Sequence, residues 1–219
     1  MARREEKGTT IPWLGEAGEQ GEALEGLFIA GETPSHSGAV IAPPHPLYGG
    51  SMDSPVVSEL AWACTRAGLA SLRFNWRGVG ASTGEPSGDL GIGAEDFAAA
   101  LLQMARTVSG PLLAAGYSFG AGAALRAVDE QPRVTRLLLV APPPSLLDDA
   151  ALRRGEREIL ILTGERDTLA PAAELAEIAE STPRARFVPI PDTDHFFAAG
   201  LAQLTAEVTR WLDAKGGGD

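Results

Sequence analysis

The chain has 219 residues, 44% of them apolar and 21% charged, a composition that suits one globular domain able to bury a core of useful size. Eighteen Lys and Arg against 29 Asp and Glu leave a formal charge of −11, which disfavours nucleic acid and anionic membrane surfaces, since both select clustered cations. The first ten residues, MARREEKGTT, are charged with no apolar stretch behind them, no run of about 18 apolar residues follows, and Cys64 is the single cysteine. The expectation is therefore a cytoplasmic protein without signal peptide, transmembrane helix or intrachain disulfide.

Residues 1–219 read as a single domain, with flexible tails at about 1–7 and 215–219. Apolar runs of strand length alternate with segments of helical spacing. A first strand is expected near 9–14 and a second at 23–30. The short run GAVIA, 38–42, reads as a buried strand. Residues 54–67 place Val57, Leu60, Ala61 and Cys64 on one helical face. A strand at 69–74 is followed by a helix at 94–108, with Phe97, Leu101, Met104 and Ala105 on one side. Next come a strand at 111–117, a helix at 119–129, strands at 136–141 and 158–163, a helix at 171–180, a strand at 185–190 and a last helix at 197–214. This alternation predicts an α/β fold with a mostly parallel central sheet and helices on both faces. Ligands bind beyond the carboxyl ends of the strands in such sheets.

Three strand ends carry reactive groups. Gly116-Tyr117-Ser118-Phe119-Gly120 follows the 111–117 strand, Gly164-Glu165-Arg166-Asp167 follows the 158–163 strand, and Asp192-Thr193-Asp194-His195 follows the 185–190 strand. A G-x-S-x-G pentapeptide also occurs as an ordinary βα turn. Here a strand precedes it, a helix follows, and an acid and a histidine stand at later strand ends. A serine hydroxyl needs an adjacent base, and histidine has the suitable pKa. Ser118 is the candidate nucleophile and His195 the candidate base. His36 lies in a polar loop and reads as solvated, and His45 sits at another strand end. Asp167 is the candidate acid that orients His195. Glu165 is the alternative two residues earlier. Asp192 and Asp194 are so close to His195 in the chain that they suit a supporting contact better than the ring. Asp148 and Asp149 read as solvated.

Acyl transfer also needs N–H donors for a developing oxyanion. One is the backbone N–H of Phe119, the residue after the nucleophile. The second should come from residues 43–50. Pro46 has no N–H, so Leu47 is the nearest candidate and Tyr48 the next.

With these residues in place, the chain resembles the α/β-hydrolase superfamily over nearly its whole length. The resemblance rests on the GYSFG elbow, the GERDTLAP acid loop, the DTDHFF histidine loop and HPLYGG in the place of the histidine–glycine oxyanion loop. HPLYGGSMD followed by RFNWRGVGASTG is similar to the pattern of a small lidless bacterial group related to dienelactone hydrolases and short-chain esterases. The resemblance implies Ser118 as nucleophile, Asp167 as acid, His195 as base, and Leu47 and Phe119 as oxyanion donors. Two features depart from the family's pattern: Pro46 stands where many members have glycine, and Ser118 stands where dienelactone hydrolases use cysteine. In FNWRGVGASTG, residues 74–84, Arg77 and the glycines read as shaping a loop near the site; the glycine spacing matches no phosphate-binding motif.

Residues 142–157 offer room for one short helix and no sizeable cap, which predicts a shallow, open site. The residues expected around it are Leu47, Tyr48, Met52, Trp76, Phe119, Leu146, Leu169, Phe196 and Phe197, with Tyr48, Trp76, Leu146, Leu169 and Phe196 as the substrate-binding candidates. A small apolar surface of this kind suits a short acyl group. The expected activity is hydrolysis of carboxylic esters through an acyl-enzyme, with a small-molecule ester as substrate, no nucleic-acid or membrane partner, and neither cofactor nor metal. Thioesterase, peptidase or perhydrolase action would use the same three groups, and a non-catalytic binding module is the alternative from another class. The apolar face of the last helix leaves the oligomeric state open.

Overall fold

The structure, a computed structural model, describes residues 5–13, 22–31 and 36–214. Eight strands form one sheet: β1 (Lys7–Pro12), β2 (Ala23–Ile29), β3 (Gly38–Ala42), β4 (Ala70–Phe74), β5 (Leu112–Tyr117), β6 (Val134–Val140), β7 (Glu158–Gly164) and β8 (Ala185–Ile190). Their spatial order is β1-β2-β4-β3-β5-β6-β7-β8. β1 and β2 pair antiparallel, as do β2 and β4, and every other pair is parallel. β3, β4 and β5 are buried throughout, and β6 and β7 nearly so. That is why β3, β5, β6 and β7 read as largely continuous apolar runs, since a parallel sheet is covered on both faces; β4, ASLRF, alternates instead, its buried Ser71 and Arg73 bonded to Thr65 and Glu6.

The helices are α1 (Pro55–Arg66), α2 (Leu90–Thr107), α3 (Phe119–Ala127), α4 (Asp149–Arg153), α5 (Ala172–Glu180) and α6 (Leu201–Asp213). The chain passes from β3 to β4 through α1, then crosses back over β3 to β5 through α2. Parallel crossovers are right-handed, so the reversal puts α1 and α2 on opposite faces. α6 returns to pack on α1, and α3 packs on α2. The point of reversal lies between β3 and β5, whose ends Ala42 and Gly116 are paired. In open α/β sheets ligands bind at such a reversal, between loops that leave toward opposite faces.

Several boundaries differ from the sequence expectation. α2 starts at Leu90 rather than 94, because Asp89 caps it by accepting the Ile92 N–H at 3.0 Å. Its early glycines hid the helix; a Cβ at Gly93 would stand 2.8 Å from the Phe119 ring. α6 starts at Leu201 rather than 197, since Phe197 has φ +58° and Gly200 forms the cap. α3 ends at Ala127 and tightens into a 3-10 turn, Val128–Glu130. The first strand occupies Lys7–Pro12, so Lys7 is ordered against Phe28 rather than part of a loose tail. Leu14 and the expected tail residues 1–4 and 215–219 lie outside the described residues.

Residues 142–157 hold only a 3-10 turn, Pro144–Leu146, and the five-residue α4, capped by Asp148. Among the described residues no cap covers the carboxyl end of the sheet. Among the described residues no helix is long and apolar enough to cross a membrane.

Candidate active site

Ser118 sits in the turn from β5 to α3 with φ +55° and ψ −118°. A non-glycine residue stays in that region only when its surroundings impose it. The Ser118 N–H donates to Val140 O at 2.8 Å, and its carbonyl accepts the Ala121 N–H at 2.9 Å. The flanking glycines make the turn possible by close approach: a Cβ on Gly116 would lie 2.1 Å from Gly120 O, and one on Gly120 would lie 2.4 Å from Pro43 O.

His195 stands in the loop after β8. Its Nε2 is 3.0 Å from Ser118 Oγ and its Nδ1 is 2.7 Å from Asp167 Oδ2. The ring's orientation is fixed from the backbone. The Tyr117 hydroxyl donates to His195 O at 2.8 Å, and Asp194 Oδ1 accepts the Phe196 N–H at 3.0 Å. Burial pushes the Tyr117 hydroxyl well above the ordinary phenol range, reinforced by the Asp167 and Asp194 charges, so it remains a donor.

Asp167 is held on both oxygens. Oδ1 accepts the N–H groups of Leu169 and Ala170, each at 2.8 Å. The Thr163 hydroxyl lies 3.1 Å from Oδ2 and 2.9 Å from Ala170 O, and its single proton serves one of them at a time. Burial works against ionisation most strongly. The His195 hydrogen bond and charge and the two backbone donors outweigh it, holding the carboxyl below its ordinary value. A carboxylate at Oδ2 places the proton on His195 Nδ1 and leaves Nε2 to accept from Ser118. The other acids are engaged elsewhere: Glu165 faces the Asp192 N–H, Asp192 pairs with Arg166, and Asp194 caps its own turn. His36 is exposed.

The loop after β3 forms a 3-10 turn at Pro46–Tyr48, which the sequence did not suggest. His45 caps it: His45 Nδ1 accepts the Leu47 N–H at 3.2 Å. Burial lowers the His45 pKa, which favours the neutral ring this bond requires. The Tyr48 and Gly50 N–H groups both go to His45 O, at 3.1 and 3.0 Å. Phe119 N–H is at the first position of α3, where no acceptor exists within the helix.

Of the expected substrate-binding residues, Tyr48, Leu169 and Phe196 stand exposed, and Leu47 with them. These are four of the five large exposed hydrophobic side chains among the described residues; Leu102, on α2, is the fifth. Leu146 is half-buried, and its Cβ would meet a Cβ on Gly122 at 2.9 Å. Trp76 is a correction: it is 1% exposed and packs in the core beneath the site. Met52 and Phe197 are buried too. These three sit on chain segments that approach the site, but their side chains turn inward, a direction that spacing in a loop cannot give. Arg77 shapes its loop as expected, bonding Asp96 through Nε at 2.8 Å and stacking 4.0 Å over Trp13. Thr163 and the Tyr117 hydroxyl were missed, although Tyr117 lies within the GYSFG elbow and Thr163 directly precedes the GERD motif. Among the described residues no cluster of three His, Cys, Asp or Glu side chains could hold a metal ion.

The profile of a family described as an alpha/beta hydrolase domain matches residues 48–209. An uncharacterized protein of Rickettsia prowazekii is 29% identical over 201 residues, 86% of this chain and 84% of its own. A solved alpha-beta serine hydrolase homologue from Coxiella burnetii superposes with TM-score 0.81 at 29% identity, covering 94% of this chain and 97% of that one. A lidless α/β serine hydrolase from Xanthomonas campestris gives TM-score 0.81 at 26% identity, covering 98% of this chain and 96% of that one.

Proposed function

The chain belongs to the alpha/beta hydrolase domain family, and on that premise we propose that it is a serine hydrolase acting on carboxylic esters with short acyl chains. One observation carries this reading: the unbroken line from Asp167 Oδ2 through His195 to Ser118 Oγ, with steps of 2.7 and 3.0 Å. Ser118 Oγ attacks the ester carbonyl carbon while His195 Nε2 takes its proton. Asp167 holds Nδ1–H and stabilises the imidazolium. The oxyanion accepts from Phe119 N–H and from Leu47 N–H, which exchanges its long bond to His45 Nδ1 for the stronger charged acceptor. Tyr48 N–H is the weaker second candidate because its bond to His45 O closes the turn. His195 then protonates the leaving alkoxide, and water, activated by the same ring, cleaves the acyl-enzyme.

The open rim of Leu47, Tyr48, Leu169 and Phe196 supplies apolar contact without enclosing a long chain. The likeness to serine hydrolases of Coxiella and Xanthomonas supports hydrolysis as the reaction class. A binding module would have no use for three reactive groups in proton-transfer order.

The test is hydrolysis of p-nitrophenyl esters from acetate to laurate by wild type and Ser118→Ala, with fluorophosphonate labelling in parallel. Rates should fall with chain length and vanish in the variant. A wild type that neither hydrolyses acetate nor takes the label would overturn the reading in favour of a binding module.

A further inference from the structure

We propose that Trp76 is a positioning residue that ties together the two halves of the oxyanion hole; this rests on reading the Leu47 and Phe119 N–H groups as its donors. The two donors belong to loops far apart in sequence, one after β3 and one at the start of α3. Both must meet one oxygen atom. The loop after β3 is poorly equipped to hold itself in place, since Pro43, Pro44 and Pro46 have no N–H to donate. It must be anchored through its carbonyls. The Trp76 indole Nε1–H donates to Pro44 O at 2.8 Å, one residue before the His45 cap of the turn that carries Leu47.

The same side chain reaches the other half. The Trp76 ring meets the Phe119 ring edge-on, with centroids 5.5 Å apart at 85°. Phe119 also lies 4.8 Å from the His45 ring, so its side chain is held between Trp76 and the loop cap. Phe74, fully buried at the end of β4, backs Trp76 at 5.0 Å. The indole thus carries the position of the sheet to both donors at once. Loss of its N–H leaves Pro44 O without its donor and lets the Leu47 turn drift relative to Phe119, whereas the hydrogen bonds of Ser118, His195 and Asp167 do not involve it. Displacements of about 1 Å at such a site cost on the order of 100-fold in rate.

The experiment compares wild type with Trp76→Phe, which keeps an aromatic ring, and with benzothienylalanine incorporated at position 76, which keeps the bicyclic shape and removes only the donor. Trp211→Phe on α6 is the control for general destabilisation. Turnover of p-nitrophenyl acetate, the rate of fluorophosphonate labelling and the urea midpoint are measured for each. The expected result is a kcat reduced at least tenfold in both position-76 variants, with KM within twofold and labelling slowed in parallel, while the control loses stability without loss of kcat. If Trp76→Phe does not fold, the benzothienylalanine protein decides. An unchanged kcat and labelling rate with a lower urea midpoint would overturn the proposal, reducing Trp76 to core packing. A raised KM at constant kcat would also overturn it, by placing Trp76 against substrate. Failure of the underlying reading looks different: Ser118→Ala would retain the wild-type rate, or wild type would take no label at all.

Discussion

Asp167→Asn separates geometry from charge. The carboxylate accepts on both oxygens: Leu169 and Ala170 N–H on Oδ1, His195 Nδ1 on Oδ2. An asparagine in its place has one oxygen. Turning its NH2 toward Leu169 and Ala170 would set it against two backbone donors, so the amide oxygen stays there and the NH2 faces His195. Nδ1 must then accept. The proton moves to Nε2, the nitrogen that should take the proton of Ser118. A triad held in the wrong tautomer loses about 10⁴-fold in kcat, equivalent to about 5.5 kcal/mol of transition-state stabilisation. The assay is p-nitrophenyl acetate turnover, with Glu165→Gln alongside, expected within twofold of wild type. The variant should also remove a pH-dependent component of stability. The Asp167 pKa is lowered in the fold, so its contribution is fully present above the unfolded carboxyl value of about 4. It fades as pH falls from there through the folded value. Urea midpoints of wild type and Asp167→Asn should therefore differ at pH 7 and converge toward pH 3. A kcat within tenfold of wild type would refute the tautomer reasoning; an equal loss in Glu165→Gln would move the acid to Glu165.

Gly116→Ala places a methyl 2.1 Å from Gly120 O, a backbone atom that cannot rotate away. The elbow must open, at a cost of roughly 1–3 kcal/mol or more. Urea unfolding should show the loss and fluorophosphonate labelling should fall with it; a variant as stable and reactive as wild type would contradict the tight turn. Phe196→Ala removes an apolar side chain that is 71% exposed. Stability should stay within about 0.5 kcal/mol, while KM rises more for butyrate than for acetate; equal effects on both esters would take Phe196 out of the acyl contact.

The placement of Ser118, Asp167 and His195 at three strand ends was legible because each follows a run of strand length: β5 and β7 are apolar and buried almost throughout, whereas β8 is a partly exposed edge strand ending in the buried Ile190. Gly116 and Gly120 were legible for the same reason that they are needed, since a bare backbone is the condition for the turn. Side-chain direction in the loops was not legible. Met52, Trp76 and Phe197 were expected at the rim and are buried, whereas Tyr48, Leu169 and Phe196 were expected there and are exposed. Nothing in local spacing distinguishes the two groups.

The sequence by itself determined the order of strands and helices, the absence of room for a cap in residues 142–157, and the order Ser118, Asp167, His195. These depend on periodicity, loop length and residue chemistry, which are local properties. The tertiary structure alone decided which oxygen of Asp167 meets His195, that Thr163 and Tyr117 brace that pair, and that His45 caps Leu47. It also decided that Trp76 joins Pro44 to Phe119. The His45 cap is local to one turn, but the Asp167–His195, Tyr117–His195 and Trp76 contacts join segments that come together only when β3, β4, β5, β7 and β8 take their places in one sheet. Hydrogen-bond distances of about 3 Å between such segments are set by the packing of the whole fold rather than by any stretch of chain.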